Sequence, residues 1–271
     1  NSYSLHDKVM EGIALLKSSK PLQYTTNNKK TSGALKDKQI ALAIVNRETG
    51  EVFEKRYWLK DDDLLAKQTG IVRLQPTDSN DKVEVRVKWW NDFNSVFEVI
   101  DNQDYIIVAN KFLIAREYLP EQTAISLSIN APKDRYVDMV YAPYSDILRS
   151  PDVIIAGKEY IDRHISAAYN ELRNSRVASL WSQNELVTDV IPKELVKMII
   201  LTEHVDTNAL KVADDGGLQL AERVLVLLGV NQEWAYRYTN SSAGANGLAQ
   251  FIEPSYYAIL SKYPNAQLIK D

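Results

Sequence analysis

Two glutamates follow apolar segments of the chain, where a carboxyl group could act as a general acid. Glu203 follows the apolar run 195–202, and Glu233 follows the apolar run 224–230. Burial against apolar side chains disfavours a carboxylate and raises its pKa. A protonated glutamate can then act as a general acid. Each glutamate is therefore a candidate general acid, and a surface carboxylate at a helix end is the alternative interpretation of Glu203.

A segment rich in glycine and serine, residues 241–257, follows both glutamates. Glycine lets a backbone pass close to a ligand or turn with positive φ. The amide of Gln250 offers a donor and an acceptor, which suits a sugar hydroxyl or acetamide. Pro254 is well placed to begin a helix. The candidate substrate-binding residues are Ser242, Gly244, Ala245, Gly247, Gln250 and Tyr256. A loop that enters an ordinary helix is the alternative.

The glycine segment resembles a motif of the soluble lytic transglycosylases, a family with a lysozyme-like fold. That family carries the pattern S-x-x-G-A-x-G-L-M-Q. The matching positions are Ser241, Gly244, Ala245, Gly247, Leu248 and Gln250, and Ala249 replaces the usual methionine. The resemblance implies cleavage of peptidoglycan by one catalytic glutamate. This residue protonates the glycosidic oxygen and then removes the proton of the 6-hydroxyl of N-acetylmuramic acid, which gives a 1,6-anhydro product.

The spacing of the two glutamates leaves the choice between them open. Only a short stretch separates the family's glutamate from its glycine motif, whereas Glu203 precedes Gly244 by 41 residues and Glu233 precedes it by 11. The local context of Glu203 is the better match, although His204 replaces the serine that often follows. A predicted helix over 216–228 would account for the longer spacing as a loop insertion. We therefore prefer Glu203 and keep Glu233 as the alternative.

The first half of the chain has strand patterns instead. Residues 5–16 have helical spacing, and 21–38 reads as a polar linker. The strands are predicted at 40–45, 52–58, 83–89, 96–100, 105–108, 112–115, 124–129 and 136–141, with Gly50 in the first turn. Strands without alternating helices favour an antiparallel sandwich or barrel. We expect an α+β chain with an N-terminal helix and linker (1–38), a mainly antiparallel β domain (39–150) and an all-helical lysozyme-like domain (151–271).

Composition limits the partners. The net charge of −4 does not favour nucleic acid, and the absence of cysteine excludes disulfides and cysteine metal sites. No apolar run is long enough to cross a bilayer, and we expect neither a metal nor a cofactor. Because residue 1 is asparagine, we expect a processed chain. The resemblance predicts further helices after Asp271, so we expect the helical domain to be truncated there.

Two functions follow as hypotheses. The first is an enzyme, a lytic transglycosylase or muramidase that acts on peptidoglycan or a related N-acetylated glycan in the periplasm, in the cell envelope or after secretion. The second is a catalytically weak envelope-binding or assembly protein that reuses the fold, because fold alone does not establish chemistry. The sequence assigns no partner to the β domain.

Overall fold

The computed structural model describes residues 3–26, 35–60, 72–79, 83–100, 102–115, 136–182, 184–237, 245 and 247–263. The chain divides into two compact units, residues 1–152 and residues 153–271. The boundary expected from the sequence, between residues 150 and 151, lies two positions before this division. Antiparallel sheets form the first unit and helices the second, in agreement with the expected α+β class.

The first unit contains one helix and nine strands among its described residues. They are α1 (Leu5–Ser18), β1 (Tyr24–Thr26), β2 (Leu35–Asn46), β3 (Val52–Lys60), β4 (Val72–Arg73), β5 (Gln75–Pro76), β6 (Val85–Trp89), β7 (Val96–Val99), β8 (Tyr105–Ala115) and β9 (Tyr136–Tyr141). The larger sheet has the order β5-β3-β2-β8-β9, with β1 added to β2, and the smaller has the order β4-β6-β7. Every pairing is antiparallel.

The hairpin of β2 and β3 is the centre of the larger sheet. The predicted turn is confirmed, because Val45 pairs with Val52 and Gly50 has a φ of 73°. All residues from Ile40 to Val45 are buried, so both faces of β2 are covered. On one face lies α1, where a Cβ atom added to Gly12 would lie 2.9 Å from the Cβ of Ala43. Glycine therefore allows the helix to approach the sheet closely.

Several expectations for this unit need correction. Part of the predicted linker 21–38 is strand, because β1 pairs with β2 and the Gln39 amide donates to the Gln23 carbonyl at 2.8 Å. The two strands predicted at 105–108 and 112–115 form the single strand β8. The hydrogen bonds of strand pairing hold both segments in strands despite their polar residues. Within β8, the charge of Lys111 is paired with Asp138. The larger sheet carries α1 as a covering layer, where strands alone were expected. The strand predicted at 124–129 lies outside the described residues.

The second unit is built from helices. They are α2 (Pro151–Asn174, which begins in the first unit), α3 (Val187–Val190), α4 (Lys193–Glu203), α5 (Thr207–Lys211), α6 (Leu218–Asn231) and α7 (Glu253–Lys262), with a 3-10 turn at Gln232–Trp234. The helices predicted at 155–172, 194–203, 216–228 and from Pro254 onward are confirmed, with different ends. In the part of the chain that the structure covers, no helix has both the length and the apolar character to cross a membrane.

The longest helices, α2 and α6, pack through two glycines. A Cβ atom on Gly157 would lie 2.0 Å from the carbonyl oxygen of Leu225, and one on Gly229 would lie 2.5 Å from the carbonyl oxygen of Val153. The α6 residues from Val224 to Asn231 are all buried. This contact fixes the end of α6, from which the 3-10 turn carrying Glu233 continues.

Candidate functional site

The end of α4 presents Glu203 at the protein surface. Glu203 is the last residue of the helix and is exposed. The apolar run before it is only partly covered, because Met198 is 64% exposed and Ile199 is 51% exposed, whereas Ile200 is buried. The carboxyl group is therefore not enclosed by the apolar side chains of its own helix. The exposure agrees with the alternative interpretation of Glu203 as a surface carboxylate at a helix end, and not with a carboxyl group buried among apolar side chains.

His204 connects the end of α4 to two distant segments of the same unit. Its Nε2 atom lies 2.9 Å from the carbonyl oxygen of Leu248, 44 positions later. Its ring stacks on Tyr236, with centroids 3.7 Å apart and an interplanar angle of 25°. Because a carbonyl oxygen only accepts, Nε2 must carry the proton. Burial lowers the pKa of His204, whereas the bond to Leu248 and the charge of Glu203 oppose that shift.

Tyr236, five residues after the end of α6, is the other ring of this stack. Burial raises the pKa of the Tyr236 phenol well above its usual range, although the charge of Arg223 acts in the opposite direction. The phenol therefore remains protonated at neutral pH and can donate a hydrogen bond. The stack places an aromatic ring directly beside the residue that follows Glu203.

The described part of the glycine segment forms a tight turn. Gly247 and Gln250 have φ values of 72° and 50°, in the left-handed region that favours glycine. The backbone amide of Gln250 donates to the Gly247 carbonyl at 3.3 Å, and its side-chain Nε2 donates to the same oxygen at 2.8 Å. One of the two N–H groups of the side-chain amide predicted to bind a sugar is thus bonded within the turn. Ala245 is buried, and Tyr256 lies half-buried in the first turn of α7.

A cavity of about 230 Å³ brings the second candidate glutamate to the glycine segment. Its described lining residues are Tyr160, Leu228, Gln232, Glu233, Tyr236, Arg237, Gly247 and Leu248. Burial, and secondarily the negative charge of Glu233, raise the pKa of Tyr160. Gln232 has a φ of 52°, which marks the abrupt end of α6. The cavity thus combines phenol, amide, carboxylate and guanidinium groups with the backbone of Gly247.

A second cavity, of about 360 Å³, shares one wall with the first. It is lined mainly by apolar side chains of α2, α3 and α4, among them Ile165, Val187 and Ile200. Leu248 lines both cavities. Its carbonyl is the group that His204 holds, so the position of this residue affects the shape of both spaces.

The sequence-predicted residues are brought together in part. Glu233 and Gly247 line one cavity, and Glu203 directly precedes the histidine that bonds to Leu248. Neither Gln250 nor Tyr256 is among the described residues that line this cavity. Ser242 and Gly244 lie outside the described residues, and so does Ser241 of the motif. Both candidate glutamates are exposed.

Sequence reasoning missed four side chains that shape this region: Tyr160, His204, Tyr236 and Arg237. His204 was noticed only as the replacement of a serine, although its position after Glu203 was a usable signal. No spacing in the sequence indicates that Tyr160 of α2 faces Glu233. Groups of three or more acidic or histidine side chains that could hold a metal ion do not occur among the described residues.

Comparison with known proteins gives no relative: no family model, no curated protein and no solved structure matches the chain.

Proposed function

We propose that the helical unit binds an N-acetylated glycan of the peptidoglycan type and cleaves it by the lytic transglycosylase reaction, outside the cytoplasm. One observation carries this proposal. The bond of 2.9 Å between His204 and Leu248 joins the residue after Glu203 to the segment that resembles the family motif. Glu203 is not among the described residues that line the cavity beside Gly247, but the bond places the end of its helix next to the motif segment, which supports a site shared by the two.

The cavity beside Gly247 has the chemistry of a sugar subsite. Carboxylate, guanidinium, amide and phenol groups can bond the hydroxyl and acetamide groups of a sugar, and Glu233, Arg237, Gln232 and Tyr160 supply them. Binding sites for small molecules usually occupy about 300–1,000 Å³. At about 230 Å³ the cavity is smaller than that, so it suits one ring of a longer glycan that continues over the surface.

Glu203 remains our preferred catalytic residue. A catalytic group has to be held by rigid elements and supported by its neighbours. Glu203 ends a helix, and the next residue is held by a ring stack and a hydrogen bond. Glu233 lies on a 3-10 turn in the cavity with Arg237. We assign Glu233 to glycan binding and keep it as the alternative acid.

The reaction proposed for Glu203 needs one carboxyl group. Its proton passes to the glycosidic oxygen while the bond from that oxygen to C1 breaks, and the leaving sugar departs with a hydroxyl group. The carboxylate then removes the proton of the 6-hydroxyl while that oxygen bonds to C1. The product is a 1,6-anhydro sugar, and Glu203 is protonated again. The scheme of two catalytic carboxylates used by most glycosidases is not required.

A glycan-binding protein without turnover is the second candidate. The observation in its favour is the exposure of Glu203 and Glu233, because a general acid that works at neutral pH usually has its pKa raised by burial. Such a protein would use the same cavity for binding. It would not release fragments from the glycan.

Digestion of purified peptidoglycan distinguishes these functions. We expect the protein to release muropeptides with 1,6-anhydro ends, which mass spectrometry identifies by the loss of one water relative to a reducing end. Products with reducing ends would instead indicate a hydrolase. Intact glycan that sediments together with the protein would support the binding protein, and the absence of both cleavage and binding would refute the proposal.

A further inference from the structure

We infer that His204 is a positioning residue, which as a neutral imidazole with its proton on Nε2 holds the turn 247–250 against the end of α4. The inference rests on the proposed function for its catalytic consequence but not for its structural part. In this role the histidine connects the helix that ends in the candidate acid Glu203 to Leu248, which lines the sugar subsite.

Two independent contacts fix the imidazole of His204. The stack on Tyr236 at 3.7 Å sets the plane of the ring. The bond to the Leu248 carbonyl at 2.9 Å then sets the rotation of the ring within that plane. Because a neutral imidazole has one N–H group, donation from Nε2 leaves Nδ1 as an acceptor. Burial favours this neutral form, since it lowers the pKa of the ring.

Among the described residues, the backbone hydrogen bond of this turn runs from Gln250 to Gly247, within the turn itself. Gly247 and Gln250 have left-handed conformations, and for Gln250 this conformation is costly. The backbone N–H and the side-chain Nε2 of Gln250 both donate to the carbonyl of Gly247, within the turn. The bond from His204 to Leu248 instead connects the turn to another element. Removing it should therefore loosen the turn relative to α4.

The geometry also links this bond to the sugar subsite. Gly247 and Leu248 form part of the cavity wall, and Tyr236 lines the same cavity. Glu203 precedes His204 directly, so a displacement of the turn changes the distance from the acid to the bound sugar. A displacement of 1 Å can cost about 10²-fold in rate. We therefore expect His204 to affect turnover more than substrate affinity.

Three variants separate the two contacts. His204→Phe keeps an aromatic ring for the stack and removes the donor. His204→Gln keeps an N–H donor and removes the ring, and Tyr236→Leu removes the stack while it keeps the histidine. His6→Phe is the control, because it changes a histidine in the first unit. The measurement is hydrogen exchange of the backbone amides of residues 247–250, with the amides of α6 as the internal reference for folding.

Loss of one hydrogen bond costs about 0.5–1.5 kcal/mol, so exchange at 247–250 should rise about 2- to 13-fold in His204→Phe. We expect His204→Gln to recover most of the protection and His6→Phe to leave it unchanged. With glycan as substrate, His204→Phe should lower kcat at a nearly constant KM, and His204→Gln should recover part of it. Unchanged exchange at 247–250 in His204→Phe would overturn the inference.

Nitrogen NMR of the wild-type imidazole provides a test that no folding defect can obscure. We expect signals of a neutral ring protonated on Nε2 at pH 7, and a ring protonated on Nδ1 alone would overturn the inference. If the wild-type protein shows the expected tautomer and His204→Phe loosens the turn, but the wild-type protein does not cleave glycan, the proposed function fails and the positioning role remains.

Discussion

Gly157 of α2 lies against the backbone of Leu225 in α6, so close that a Cβ atom on Gly157 would come within 2.0 Å of the Leu225 carbonyl oxygen. Gly229 of α6 makes the reciprocal contact with Val153, where a Cβ atom would lie 2.5 Å from the carbonyl oxygen. A side chain at either position would collide with backbone, which cannot rotate away. The pair therefore determines how closely the two helices pack.

Replacing Gly157 by alanine should destabilise the helical unit. Alanine favours an isolated helix by about 1 kcal/mol relative to glycine, but forcing helices apart costs typically 1–3 kcal/mol and occasionally more. With a contact of 2.0 Å against backbone, we expect a net loss of about 2 kcal/mol or more in the free energy of unfolding, measured by urea denaturation. Lys158→Ala, at an exposed neighbouring position, is the control. A Gly157→Ala protein as stable as the control would show that this contact is not tight.

Replacing the buried Lys111 should destabilise the first unit. The Lys111 side chain is 3% exposed and lies 3.2 Å from Asp138, and its Nζ atom donates to the carbonyls of Ser19 and Lys20. Removing one partner of a buried pair costs about 3–5 kcal/mol, which we expect for Lys111→Met in denaturant unfolding. Arg73→Met breaks an exposed pair with Glu84 and should cost at most about 1 kcal/mol. Equal losses in the two variants would contradict this account.

The sequence correctly predicted those helices and strands whose local hydrophobic pattern agrees with their burial in the fold. The β2–β3 hairpin, α1, α2, α4 and α6 all have the expected periodicity. Lys111 shows where such prediction stops. The sequence predicted separate strands at 105–108 and 112–115, but contacts with residues distant in sequence satisfy the charge of Lys111 between them, and β8 continues. Pairing of β1 with β2 likewise turned part of a polar linker into strand.

The candidate site was predictable only in part for a similar reason. Motif spacing indicated Glu203, Glu233 and Gly247, but it could not indicate which side chains of α2 and α6 would face them. Gln250 shows a second limit. Its amide was expected to bind sugar, yet the amide nitrogen donates to a backbone carbonyl three residues earlier, which only the turn geometry shows.

Gly247 allows a test of the sugar subsite with a matched control. A valine at a φ of 72° is strained, and because Gly247 lines the cavity, valine adds bulk at the proposed subsite. Gly216 also has a positive φ, of 67°, and an added Cβ atom would meet no atom within 4 Å at either glycine, so Gly216→Val carries similar backbone strain. We expect Gly247→Val to reduce binding of a chitooligosaccharide about tenfold or more in calorimetry, and Gly216→Val to change it little. Equal affinities of the two variants for the chitooligosaccharide would show that Gly247 does not line the sugar-binding site.

His204 should make the helical unit sensitive to acid. Its pKa is lowered from the ordinary value of 6.5 by burial, although Glu203 and the bond to Leu248 act in the opposite direction. The unfolded chain therefore binds this proton more readily than the folded one. The contribution of the neutral ring to stability is complete above about pH 6.5 and is lost as the pH falls below that value.

We expect the free energy of unfolding to fall more steeply below about pH 6.5 in the wild-type protein than in His204→Phe. Denaturant unfolding monitored by hydrogen exchange of peptides from residues 153–263 assigns the effect to the helical unit. Identical slopes for the two proteins between about pH 7 and pH 5.5 would contradict the burial of a neutral imidazole.

The most direct measurement of the central claim is the rate at which 1,6-anhydro muropeptides are released by the wild-type protein, by Glu203→Gln and by Glu233→Gln. Glutamine keeps the shape of the side chain but cannot deliver a proton, and general acid–base catalysis is typically worth about 10²–10⁴-fold. We expect Glu203→Gln to lose at least roughly that factor while it still binds glycan, and Glu233→Gln to lose far less. Release by Glu203→Gln at the wild-type rate would contradict the assignment of Glu203 as the catalytic acid.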